Sequence, residues 1–377
     1  MDLDLLYPEV ADLRARARRR LPHFAWEYLD SATGDEGTAH RNTAALDAVT
    51  LNTAIFGGEV TPDLTTRLMG RDQALPFGIA PVGMSGLIWR DAEPILAQLA
   101  DESGIPYCLS TVATRTPEDL APHIGNQGWF QLYPPGDGDI RRDLLKRAKD
   151  SGFHTLILTV DVPVASRRER QRRARLSNPM RINPRVLAQV AMRPAWALAM
   201  ATYGIPRLAT LEKYARVDAN LPSTAHIGYL LRTAPDWDYL DAVRTEWDGK
   251  LVVKGVTSAD DASACEQAGV DAVWVSNHAG RQFAAARASL DLLPEVRTAT
   301  GLPVIFDSGA RSGTDILRAI ALGADFVMLG KAFHYGLAAF GARGATHVVH
   351  ILREQLIADM GQLGISRPTQ ARDRLPV

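Results

Sequence analysis

Cysteine is almost missing from this chain: Cys108 and Cys265 are the two in 377 residues. Two lone thiols in apolar context offer no disulfide framework and no metal-ligand spacing, and they fit a reducing cytoplasm. An excess of one charge is missing as well. Lysine plus arginine number 42 and aspartate plus glutamate 43, so no global field favours nucleic acid as a partner. No run reaches the ~18 uncharged apolar residues that a membrane span requires. The opening MDLDLLYPEV holds acidic residues and no apolar core, so no signal peptide is expected. The histidines form no metal-ligand grouping, and the one close pair, His347 and His350, is expected on a surface helix. No metal is expected.

What is present is a chain that is 46% hydrophobic and long enough for one α/β barrel with a large core. Residues 1–74 read as a polar helical segment, with RARARRRL inside Val10–Leu21 and FAWEYLDS at Phe24–Ser31. From Leu75 onward short apolar runs alternate with longer amphipathic ones, the pattern of a parallel sheet with helical crossovers. Eight strands are predicted, at Phe77–Val82, Tyr107–Ser110, Trp129–Tyr133, Thr155–Asp161, Leu251–Gly255, Ala272–Ser276, Val304–Asp307 and Phe326–Gly330. Eight such strands favour a closed (β/α)8 barrel, a TIM barrel, over residues 75–377. About ninety residues separate the fourth strand from the fifth, too many for one crossover, so an insertion or lid is expected over 167–245.

The strand ends are unusually polar. Gln131 and Tyr133 close the third, Thr159 and Asp161 the fourth, and Lys254 the fifth. Ser276, Asn277 and His278 close the sixth, with Arg281 shortly after. Asp307 closes the seventh, followed by Gly309 and Arg311, and Gly330 and Lys331 close the eighth. A lone polar residue at a strand end is most often a turn or helix cap. Recurrence at six of eight ends predicts one convergent polar mouth, where barrel enzymes place their chemistry. DSGARSG and LGK, after the last two strands, combine small residues, backbone N–H groups and cations, as a phosphate site requires. In SNHAGRQ a histidine able to take a proton lies three residues from an arginine able to grip a carboxylate.

Together and in this order, WFQLY, TVDVP with SRRE, LVVKG, SNHAGRQ and DSGARSG resemble the FMN-dependent L-2-hydroxy-acid oxidases and dehydrogenases. Glycolate oxidase, flavin-type L-lactate dehydrogenase and L-mandelate dehydrogenase belong to that family. The resemblance runs from about Leu21 to the C-terminal helix. It implies oxidation of a lactate- or mandelate-like L-2-hydroxy acid to the 2-oxo acid, with flavin N5 as electron acceptor. It implies His278 as the base, assisted by Asp161, with Tyr28, Tyr133, Arg168 and Arg281 binding the substrate. Pro81, Val82, Gly83, Ser110, Gln131, Thr159, Lys254 and Ser276 would contact the isoalloxazine and ribityl chain. Asp307, Ser308, Gly309, Arg311, Gly330 and Lys331 would hold the ribityl chain and phosphate. A quinone, a cytochrome or oxygen would reoxidise the flavin, and a homotetramer is implied. Departures from the family pattern fall at Ser31-Ala32-Thr33, Val112, Ala279, Phe283-Ala284, Ser308 and Lys331. They keep open an atypical, larger 2-hydroxy acyl substrate. An FMN- or phosphate-binding barrel isomerase and a non-catalytic flavoprotein scaffold are the readings from other classes.

From Arg167 to Leu211 there are ten arginines and one acid, Glu169, and 177–211 also carries apolar runs with Trp196 and Tyr203. Basic, aromatic and apolar residues together suit a segment lying on an anionic membrane surface. The expected location is the cytoplasm, with peripheral contact to the inner face of the membrane. The competing expectation is a lid or a contact between subunits.

Overall fold

A computed structural model describes residues 2–174, 183–204, 206–214 and 233–376. Ahead of the barrel, β1 (Thr66–Leu68) pairs antiparallel with β2 (Arg71–Gln73) through a turn at Met69 and Gly70, both at positive φ. Then follow β3 (Phe77–Ile79), β4 (Tyr107–Ser110), β5 (Gly128–Leu132), β6 (Thr155–Thr159), β7 (Lys250–Val256), β8 (Ala272–Val275), β9 (Val304–Phe306) and β10 (Phe326–Leu329). These eight are all parallel and close into a barrel in the order β10-β3-β4-β5-β6-β7-β8-β9. The eight predicted runs are these strands, within one to three residues at their ends.

Barrel strands are covered on both faces, by helices outside and by side chains from across the barrel inside, so they read as continuous apolar runs. Inside, Cys108, Trp129, Ile157, Val252, Trp274, Ile305 and Met328 pack together. Their neighbours Phe130, Leu156, Leu158 and Val253 point outward into the larger core beneath the helices. Leu68 joins the inner cluster, so the β1–β2 hairpin plugs the amino-terminal end of the barrel. Residues 1–74 are therefore helical only in part, over Leu3–Leu6, Val10–Arg20, His23–Asp30 and Gly37–Ala48. Strands three residues long carry too little alternation to be seen beside the stronger helical signals.

The helix Val10–Arg20 lies on the helix Lys331–Phe340, where Arg16 and Arg20 donate from Nε to the terminal carbonyls of Ala339 and Ala338. These contacts satisfy acceptors that a helix end leaves open. The next helix, His23–Asp30, is thereby held across the barrel mouth. His347 departs from the surface setting expected of it: it is buried and its Nε2 meets Tyr7 O at 2.9 Å, while His350 stays exposed. Among the described residues no group of histidine, cysteine or carboxylate side chains could hold a metal ion, and no helix is long and apolar enough to cross a membrane.

Between β6 and β7 the described part of the insertion forms the helices Glu169–Arg173, Pro184–Ala191, Pro194–Tyr203, Ala209–Glu212 and Trp237–Glu246. The proposed membrane segment 177–211 lies partly outside the described residues. In its described part Trp196 turns inward, edge-on to Phe24 at 5.5 Å, and its indole N–H donates to Leu87 O at 3.0 Å. Leu187, Met192 and Leu198 remain 56%, 63% and 70% exposed, so the outer face of these helices is apolar.

Candidate active site

A cavity of about 800 Å³ opens at the carboxyl ends of the barrel strands. Its walls include Tyr28, Pro81, Val82, Gly83, Gln131, Tyr133, Thr159, Arg168, Lys254, His278, Arg281, Asp307, Ser308, Gly309, Arg311, Gly330 and Lys331. Three predicted residues lie behind this wall. Ser110 donates to Gln131 Oε1 at 2.8 Å, Ser276 accepts from Lys254 Nζ at 2.8 Å, and Asp161 backs His278. Gln131 passes the chain on, donating from Nε2 to Thr159 Oγ1 at 3.0 Å. The barrel floor is thus a connected polar layer in which each side chain fixes the next.

Lys254 is buried at the centre of this floor, 3.4 Å from Asp307 and 3.7 Å from Asp161. Burial opposes its charge, but the two carboxylates outweigh burial and raise its pKa. For Asp161 burial likewise opposes charge, and Lys254 and the His278 ring together hold the carboxyl below its usual range. A register shift follows Lys254, where Gly255 takes φ +107° and a Cβ would lie 2.5 Å from Asp161 Cβ. Only glycine allows the strand to pass Asp161 at this distance.

His278 Nδ1 lies 3.0 Å from Asp161 Oδ1, and Nε2 faces Tyr133 Oη at 3.3 Å across the cavity. A carboxylate on Nδ1 places the proton there and leaves the Nε2 lone pair for the cavity. Burial lowers the imidazole pKa, and Asp161 recovers part of that loss. The ring is therefore neutral at pH 7 and able to act as a base, beside a carboxylate that stabilises it once protonated. Burial pushes the Tyr133 hydroxyl up to about 12, so it stays a hydrogen-bond donor.

His278 (φ +56°), Ala279 (φ +55°), Ser308 (φ +84°) and Arg168 (φ +47°) all adopt left-handed backbone without being glycine. Such strain concentrates at sites whose surroundings over-determine it. Here Asn277 Oδ1 accepts from Gly280 N, Asn277 and Asn42 exchange amide hydrogen bonds, and Ser308 Oγ accepts from Ala279 N. Asn42 is a positioning residue that sequence reasoning missed, because it sits 235 residues from its partner.

Above the histidine, Arg168 and Arg281 face the cavity from different elements. Arg281 donates to Tyr28 O and Ser31 O and lies over the Tyr28 ring, while Tyr28 Oη donates to Gly83 O at 2.9 Å. Burial and the nearby Arg168 lower the Arg281 pKa to about 10. Neither arginine has a carboxylate partner among the described residues, so both are available to an anionic ligand.

The same holds at the far end of the cavity. Lys331 donates to Asp30 O at 2.8 Å but meets no carboxylate, and the Arg311 guanidinium has no protein acceptor among the described residues. Burial, then Arg281, pull the Lys331 pKa down to about 7. Buried like charges of this kind persist when an anion joins them, and a phosphate dianion reverses each unfavourable contribution. Gly309 supplies the close backbone: its φ is +114°, and a Cβ there would lie 2.9 Å from Leu46 Cδ1. Cations and bare backbone at one end, and a polar floor with a buried cation at the other, fit the phosphate and the ring of a flavin mononucleotide.

The profile of the FMN-dependent dehydrogenase family matches residues 17–375. The chain is 37% identical over 351 residues to an L-lactate dehydrogenase of Pseudomonas aeruginosa, covering 92% of this chain and 91% of that one. It is 36% identical over 367 residues to an L-lactate dehydrogenase of Caulobacter vibrioides, covering 96% and 95%. The solved structure of the monotopic membrane protein (S)-mandelate dehydrogenase superposes with a TM-score of 0.92 at 33% identity over 98% of both chains. A soluble mutant of the membrane-associated (S)-mandelate dehydrogenase from Pseudomonas putida gives 0.84 at 32% identity, over 98% of this chain and 99% of that one. None of these relatives is an isomerase or a scaffold protein. A TIM barrel with a cationic end to its cavity and a histidine–aspartate pair at its mouth, matched over nearly its whole length, belongs to the FMN-dependent dehydrogenase family, and its cofactor is FMN.

Proposed function

We propose that this protein oxidises an L-2-hydroxy acid of the lactate or mandelate kind to the 2-oxo acid. The observation that carries this reading is the line Tyr133–His278–Asp161 beside a cavity that two arginines also face, neither with a carboxylate partner among the described residues. Arg168 and Arg281 grip the substrate carboxylate, and Tyr28 and Tyr133 orient the carbon that bears the hydroxyl. His278 Nε2 accepts one proton, and Asp161 stabilises the imidazolium that results. Lys254 offsets negative charge that develops over the barrel floor. Gln131, Thr159, Lys254 and the backbone at Pro81–Gly83 would contact the cofactor ring, with Ser110 fixing Gln131 and Ser276 fixing Lys254. Asp307, Ser308, Gly309, Arg311, Gly330 and Lys331 would hold its ribityl chain and phosphate. Bound FMN supplies a two-electron acceptor. His278 serves equally if the proton leaves the substrate hydroxyl or its α-carbon.

The test is an anaerobic visible spectrum recorded before and after a panel of 2-hydroxy acids of both hands. Bleaching by an L acid is the expected result, and a flavin bleached by none of them overturns the reading. Readmitting air then separates oxygen from a quinone or cytochrome as the final acceptor.

Lys331 makes FMN binding sensitive to pH. In the free protein its ammonium is half lost near pH 7, whereas a bound phosphate keeps it charged. Affinity is therefore flat between about pH 6, where the phosphate itself titrates, and pH 7. Above pH 7 it declines by up to about tenfold per pH unit. Fluorescence titration of FMN at pH 6.5 to 9 checks this, and Lys331→Arg is expected to flatten the curve.

We also propose that the helices Pro184–Ala191 and Pro194–Tyr203 rest on an anionic membrane through Leu187, Met192 and Leu198, with Arg185 exposed beside them. Trp196 takes no part, since it is pinned inward. Flotation with anionic liposomes is expected to carry the protein upward, and Leu198→Asp together with Leu187→Asp to leave it in the soluble fraction. Wild-type protein that stays wholly soluble counts against attachment.

A further inference from the structure

The cations of the cavity find partners one after another, and one is left over. Lys254 is matched by Asp161 and Asp307. Arg167 lies 3.7 Å from Glu169. Arg311 and Lys331 stand at the phosphate end, and Arg168 and Arg281 bracket the place for one substrate carboxylate. Arg172 remains. It lines the cavity and is exposed at its outer rim. No carboxylate lies within ion-pair distance of it among the described residues. Its Nε donates to Arg167 O at 2.8 Å, beside the carboxylate-gripping Arg168. That contact fixes the guanidinium plane and leaves both Nη groups without a protein acceptor among the described residues, so a carboxylate could take them as a pair.

The cavity that holds Arg172 and the catalytic histidine is also lined by Val162, Val164, Ala165 and Ser166. One cavity that carries apolar lining, a pair of arginines and a further exposed arginine suits a carbon chain with an anion at both ends. A neutral or aromatic 2-hydroxy acid would use the inner pair of arginines and nothing at the rim.

We propose that Arg172 receives a second anionic group of the substrate, so that the preferred 2-hydroxy acid is a dicarboxylate. This rests on the oxidation of 2-hydroxy acids proposed above and names the substrate class of the same site.

Chain-matched pairs test it: (S)-2-hydroxysuccinate against (S)-2-hydroxybutanoate, and (S)-2-hydroxyglutarate against (S)-2-hydroxypentanoate, by the rate of anaerobic flavin bleaching. The wild-type protein is expected to favour the dicarboxylate of at least one pair by about tenfold in kcat/KM. Because the rim is solvated, that preference shrinks as salt is raised. Arg172→Gln is expected to bring the ratio close to one, and Arg172→Lys to keep part of it. Equal or better turnover of the neutral partners by the wild-type protein overturns the proposal while leaving the oxidation reading intact. So does a preference that survives Arg172→Gln. If Arg172→Gln instead weakens binding to anionic vesicles and leaves the substrate ratio unmoved, the rim cation serves a lipid headgroup and the proposal falls. If none of the four acids bleaches the flavin while (S)-lactate or (S)-mandelate does, the proposal falls and the oxidation reading stands; if no 2-hydroxy acid of the panel bleaches it, the oxidation reading itself falls.

Discussion

Replacing His278 with Ala is expected to slow flavin bleaching by a 2-hydroxy acid by about 10²- to 10⁴-fold, the range that a positioned general base contributes. FMN binding is expected to persist, because the residues proposed to hold its phosphate do not include the histidine. The pH dependence should identify the group. The base must be unprotonated, and burial lowers the pKa of this ring. In the wild-type protein kcat/KM should therefore stay constant as pH falls through the ordinary imidazole range, near 6.5, and drop only below it. Asp161→Asn removes the influence that raises the His278 pKa, so the acid limb should move to still lower pH. The rate at neutral pH should meanwhile fall by about 10²-fold or more, because the imidazolium loses its partner and the tautomer its anchor. Turnover by His278→Ala within a few-fold of wild type would remove His278 from the mechanism.

Lys254→Met is expected to damage stability as well as rate. The ammonium is buried between Asp161 and Asp307, donates to Ser276 Oγ and lies 5.4 Å from the Trp274 ring centroid. Methionine has similar length but cannot neutralise either carboxylate. Removing one member of a buried ion pair costs about 3–5 kcal/mol, because the remaining charge stays desolvated. The sign with pH follows from Asp161, whose carboxyl Lys254 holds below its usual range. In the wild-type protein that depressed pKa contributes stability above the unfolded carboxylate pKa, and the contribution is lost as pH falls through the folded value. Without Lys254 the Asp161 pKa rises, so the deficit should be largest at neutral pH and should narrow toward pH 4 as the carboxyl protonates. Urea denaturation of wild type and variant at pH 7.5 and pH 4.5 measures both quantities. A deficit that is absent, or that does not change between the two, would show that Lys254 is not the counter-ion of this floor.

The hairpin Thr66–Gln73 and the inward turn of Trp196 mark where local pattern runs out. The hairpin's strands are three residues each, shorter than the run of about four over which an alternation becomes a signal. Whether Trp196 faces lipid or protein depends on which side of its helix meets Phe24 and Leu87, and composition carries no such information. His347 behaves in the same way: beside an exposed His350, it falls on the stripe of its helix that buries Val348 and Ile351.

By itself the sequence determined the barrel and the residues at its mouth. Strands covered on both faces must be runs such as TLIL and AVWV, and polar residues that end such runs repeatedly must meet at one rim when the sheet closes. The tertiary structure decided how those residues divide the work. Asp161 and His278 are 117 positions apart, and only barrel closure puts them 3.0 Å from each other. Lys254 became a counter-ion shared by two carboxylates because β7 lies beside β6 and one strand away from β9. Arg172 faces the cavity without a carboxylate partner among the described residues, while Glu169 turns to Arg167 and to the backbone of Gly34. Charge pairing depends on distances between segments remote in the chain, which closure of the barrel sets and local sequence pattern does not.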